Sequence, residues 1–90
     1  MTFNNTSPTV FLAETVSRIS NELTDNKNMQ ISFKALIDSI MHTAPEIVNG
    51  RWNDLFLICR QNINDESNPA HQKCLKIYNS RYEEYREIYN

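Results

Sequence analysis

Ser32-Phe33-Lys34-Ala35-Leu36-Ile37-Asp38-Ser39-Ile40-Met41-His42-Thr43-Ala44-Pro45 is the stretch on which the fold turns. Its apolar members Phe33, Leu36, Ile37, Ile40, Met41 and Ala44 recur every three or four positions, with Lys34, Asp38 and His42 between them. That is the period of one helical face, not the alternation of a strand. Ser32 is placed to cap the first turn, with Ile31 before it and Leu36 after it spaced as a hydrophobic staple. Pro45 ends the run, because its ring clashes with the preceding turn and steers Ala44 away from helical angles. The pattern predicts a helix over 32–43.

Working outward, Ser7-Pro8 reads as a cap followed by a proline in the first helical position, where its missing N–H has no acceptor to lose. Leu12, Val16, Ile19 and Leu23 then form one narrow stripe, with Glu14, Arg18 and Glu22 outside it, predicting a helix over 8–24. Residues 1–6 are polar, with Phe3 as their only anchor, and read as a flexible N-terminus. Downstream, Thr43 and Glu46 have the spacing of a capping box, and Val48, Trp52, Leu55 and Cys59 keep a four-three-four rhythm straight through Gly50. A single helix over 45–63 follows, weakened by about 1 kcal/mol at the glycine. Leu55 to Cys59 is apolar nearly all round, which marks this helix as the central one. Asn64 to Asn68 is a polar loop, and Asn68-Pro69 opens a fourth helix over 69–88.

One glycine and three prolines in 90 residues leave little material for hairpins or for glycine-rich phosphate loops. The expected fold is therefore all-α: one compact four-helix domain over 1–90, an irregular bundle with helix 3 central and helix 4 packed across it. A chain this short buries only about 60 to 65% of its unfolded surface, so its stability margin is modest.

Charge is balanced along the chain. Arg18, Lys27 and Lys34 stand against four acidic residues up to Pro45, and six basic against seven acidic follow, for a net −2. No segment concentrates the positive charge that duplex binding needs, so nucleic acid is a disfavoured partner. The longest apolar run, Leu55 to Cys59, is far short of a membrane span, and no charged leader precedes it, so a cytoplasmic protein without membrane contact is expected. Cys59 and Cys74 fall inside helical patterns, consistent with free thiols in a reducing compartment.

Candidate chemistry is sparse. His71 and Cys74 share a helix face, but Cys59 and His42 each stand alone, without the paired spacing of structural zinc sites. No metal or other cofactor is expected. A thiol nucleophile would need an oriented base and an oxyanion-binding loop, and neither is visible, so the chain does not read as an enzyme. The short joint between helices two and three resembles a helix-turn-helix, yet the third helix opens with Glu46, Ile47 and Val48 rather than donors to base edges. His71, Gln72, Lys73 and Lys76 would make a better reading head, without a basic surround.

The C-terminal helix carries the feature that folding explains least. Cys74, Tyr78, Tyr82, Tyr85 and Tyr89 form one stripe, with Lys73, Lys76, Glu83, Glu84, Arg86 and Glu87 on the outer face. The stripe either closes the bundle with its hydroxyls reaching water, or docks another protein through rigid rings with polar tips. The functional expectation is a protein-binding module, a regulator, inhibitor or immunity-type accessory factor that masks a partner surface. Its candidate contact residues are Tyr78, Tyr82, Tyr85, Arg86, Tyr89, Glu83 and Glu87, and the glutamates suit a partner with a basic surface. A helix-turn-helix-like DNA-binding regulator and a self-associating structural protein, with a homodimer as its unit, are the alternatives.

Overall fold

Ser7 starts the first helix as its sequence predicts: the hydroxyl accepts the Val10 N–H at 3.2 Å and Pro8 takes the first helical position. This helix, α1 (Pro8–Asn21), turns Phe11, Leu12, Thr15, Val16 and Ile19 inward. The computed structural model describes residues 7–62 and 69–89. The expected flexibility of residues 1–6, the loop from Asn64 to Asn68 and a helix end at Ile63 lie outside them. α1 stops three residues short of the expected 24, yet Leu23 in the following turn is still buried. The last carbonyls of a helix lack intrahelical donors. Here Gln30 supplies two: its Nε2 donates to the Ser20 carbonyl at 3.0 Å and to the Leu23 carbonyl at 2.7 Å, while its Oε1 accepts the Ser20 hydroxyl at 2.7 Å.

The second helix, α2 (Lys27–Met41), begins five residues before Ser32. Asn26 is the cap, its Oδ1 accepting the Met29 N–H at 3.1 Å. Met29, Phe33, Leu36 and Ile40 are the buried line, a four-three-four rhythm that reaches back to Met29, before the expected start of the helix. The expected staple does not form, since Ile31 is 68% exposed. Met41 and Ala44 also fall off the buried face, which is narrower than the six-residue stripe suggested. At the far end His42 Nδ1 donates to the Asp38 carbonyl at 2.8 Å and the Thr43 hydroxyl to the Ser39 carbonyl at 2.6 Å, so both side chains close α2.

Thr43 is thereby occupied, and the capping box with Glu46 does not form: Ala44 holds the cap position and makes no side-chain bond. The next segment winds as a 3₁₀ helix over Pro45–Gly50 and passes without a break into α3 (Arg51–Asn62). The single α-helix expected through Gly50 is therefore two windings in series. The predicted register survives the change, for Val48, Trp52, Leu55 and Cys59 are each at most 1% exposed. A short i to i+3 turn is a common way to begin a helix whose first N–H groups lack a cap.

The fourth helix, α4 (Pro69–Tyr89), starts at the predicted proline. α1 packs on α2 and α4, α3 packs on the same two helices, and the 3₁₀ turn fits against α1 and α3. The described residues thus form an all-α, four-helix bundle with no strand, and Trp52 is its largest fully buried side chain. No helix among them is long and apolar enough to cross a membrane.

Candidate functional site

α4 runs for 21 residues, and its sequence rhythm decides what it shows to solvent. His71, Cys74, Arg81 and Tyr85 are buried, and Tyr78 completes the line half-buried between them. Spacings of three and four keep these five on one face. The tyrosine stripe is therefore turned inward more than outward. Tyr85 is 4% exposed, with its ring 5.0 Å from Trp52 and 6.0 Å from Phe11. So buried a ring offers no docking face, and the expected set of contact residues loses that member. Its large ring fills the space between α1 and α3, which the sequence pattern alone could not orient.

The other tyrosines stand at the edge. Tyr78 donates its hydroxyl to the Trp52 carbonyl at 3.0 Å, and its ring lies 5.5 Å from Phe56 and 5.8 Å from Tyr82, nearly parallel to the latter. Tyr82 rests 5.2 Å from Trp52 and Tyr89 5.9 Å from Phe11, both half-buried. Burial pushes the Tyr78 hydroxyl up to about 12, helped by the neighbouring Tyr82 and Cys59. Tyr85 is raised by burial against the opposing pull of the Trp52 indole, and Tyr89 is raised by burial as well. The indole N–H makes no well-aligned hydrogen bond of its own.

The remaining candidates face water. Glu83, Arg86 and Glu87 are exposed and make no ion pair among the described residues. With the rims of Tyr82 and Tyr89 they form one contiguous strip, since positions three and four apart are neighbours on a helix. Ile88, 45% exposed, lies outside the strip, beyond Glu84. Lys73, by contrast, pairs with Glu22 of the turn after α1 at 3.0 Å.

Arg81 was not singled out by its sequence, although it occupies the buried line of Cys74, Tyr78 and Tyr85. Its Nε donates to Thr15 Oγ1 at 3.0 Å and its Nη2 to the Phe11 carbonyl at 3.3 Å. The guanidinium lies 3.8 Å over the Phe11 ring and reaches Glu14 at 3.5 Å and Glu84 at 3.9 Å. Thr15, fully buried, donates its own hydroxyl to the Phe11 carbonyl at 2.9 Å. Burial, and then Arg18, lower the Arg81 pKa, but a guanidinium stays charged. The cluster holds α4 against α1 and so fixes the rotation that puts Glu83, Arg86 and Glu87 outside.

His71 is buried rather than at the surface, and its Nδ1 has no partner among the described residues. No group of three or more histidine, cysteine or acidic side chains converges there or elsewhere among the described residues. An open concavity of about 420 Å³ lies along α1 with Val10, Ala13 and Met41 in its lining. No protein-family model, no curated protein and no solved structure matches this chain.

Proposed function

We propose that the chain is a small, non-enzymatic, cytoplasmic protein-binding module that regulates or inhibits a partner by covering its surface, as an immunity-type accessory factor does. The reading is carried by the outer strip of α4, where Glu83, Arg86 and Glu87, without an ion pair among the described residues, adjoin the rims of half-buried Tyr82 and Tyr89. Charged side chains beside aromatic rims on a rigid helix suit recognition, because the rings add contact area with little entropy to lose and the charges steer the encounter. With two carboxylates to one guanidinium, the strip favours a partner whose contact surface is basic.

Affinity capture from the native host identifies the partner, and titration of the purified pair tests the strip. Glu83→Lys combined with Glu87→Lys should leave helicity and melting unchanged while weakening binding at least tenfold, with salt mimicking the effect on the parent chain. Equal affinity in both forms would sink the reading. Concentration-dependent mass lost in the same variant would instead make a second copy the partner. Salt-sensitive duplex binding that depends on Lys73 and Lys76 would mark the DNA-binding alternative.

A further inference from the structure

Two nucleophilic side chains stand apart from that strip. Cys59 on α3 and Cys74 on α4 are fully buried in one apolar cluster, and both are free thiols. α3 and α4 pack against each other, and the two thiols are in hydrogen-bonding contact across that seam. Contact with Cys74, and then burial, push the Cys59 thiol far up, while contact with Cys59 draws Cys74 down against its own burial. Two free thiols in contact are the starting point for disulfide closure, and the lowered Cys74 is the readier of the two to attack.

We propose that Cys59 and Cys74 are an oxidant-sensitive pair, closed by a low-molecular-weight disulfide into an intrachain disulfide that ties α3 to α4. Cys74 releases its proton to water, and its thiolate attacks one sulfur of the oxidant. The oxidant's S–S bond breaks, one small thiolate leaves and takes up a proton, and Cys74 is left as a mixed disulfide. Cys59 then loses its proton, attacks the Cys74 sulfur and expels the second small thiolate. Two protein thiols and one disulfide become one protein disulfide and two small thiols, with two electrons passing to the oxidant. Because both sulfurs are fully buried, attack requires a local opening of the packing around them.

The test uses the full reduced chain incubated with oxidised glutathione at mildly alkaline pH, read by intact mass and by thiol titration after denaturation. The expected product is a monomer lighter by two hydrogens, with no free thiol, a Cys59–Cys74 linkage in peptide mapping, and a melting temperature raised by about 10 °C. Formation should quicken in denaturant just below the unfolding transition, and a dithiol should reverse it. Cys59→Ser should stop at a glutathione adduct on Cys74. The pair is disproved if the parent chain stops at the adduct, links only between molecules, or keeps both thiols through that denaturant incubation; these readings do not depend on whether the variant folds.

Discussion

Along its α1 flank, α4 is fixed by directional bonds, with one guanidinium reaching the Thr15 hydroxyl, the Phe11 carbonyl and the Glu14 carboxylate. Along its α3 flank it is held mainly by rings and sulfur: Tyr78, Tyr82 and Tyr85 around Trp52, and Cys74 beside Cys59. The first flank tolerates one rotation of the helix, because hydrogen bonds weaken steeply out of line. The second supplies area with looser geometry, each aromatic pair adding about 0.5 to 1.5 kcal/mol beyond burial. Register and bulk stability therefore reside on opposite sides of the same helix.

Removing the ring side should cost most. Trp52→Ala should destabilise by about 3 to 5 kcal/mol, comparable to the whole stability of many domains of this size, and leave the chain largely unfolded in chemical denaturation. On the other flank, Thr15→Val keeps the shape but strips Arg81 Nε of its acceptor, and should cost about 1 to 3 kcal/mol by the same measurement. If Thr15→Val proved harmless, the directional flank would be ornamental and the distinction would fall.

Alkaline titration separates the flanks in another way. Tyr78 keeps its proton up to about 12 in the folded chain, while an unfolded tyrosine releases it near 10. Its contribution is whole below the lower value and fades as pH climbs through the higher one, since unfolding there sheds a proton. Tyr78→Phe should flatten that decline, and thermal melts between those pH values read the slope; an unchanged slope would assign the loss elsewhere. The smallest effect runs in the opposite direction. Gly50 has no positive φ, and an added Cβ there meets nothing within 4 Å, so Gly50→Ala should stabilise by about 0.4 to 1 kcal/mol without touching either flank.

The two flanks also differ in how far the sequence discloses them. Trp52, Leu55 and Cys59 announce their burial because an unbroken apolar rhythm needs an interior, and the Ser7-Pro8 and Pro69 starts follow from local capping chemistry. Asn26 stayed hidden because the turn it caps is mostly polar, with Met29 as its lone apolar sign. The 3₁₀ winding left no trace because it preserves the same side-chain register. Arg81 is the hardest case: a charge in a buried line becomes intelligible only once Thr15 and the Phe11 carbonyl are seen opposite it. For the outer strip, the exposed character of Glu83, Arg86 and Glu87 was legible, whereas the inward turn of Tyr85 depends on which side of α4 meets α1.

The Gln30 clamp carries a kinetic consequence. Its partners, Ser20 and Leu23, lie at most ten residues away, whereas Thr15 and Arg81 are 66 apart. Short loops close early and cheaply, so the α1–α2 corner is available before the chain has searched for its distant contacts. Gln30→Ala should then slow refolding, while Thr15→Val should chiefly hasten unfolding.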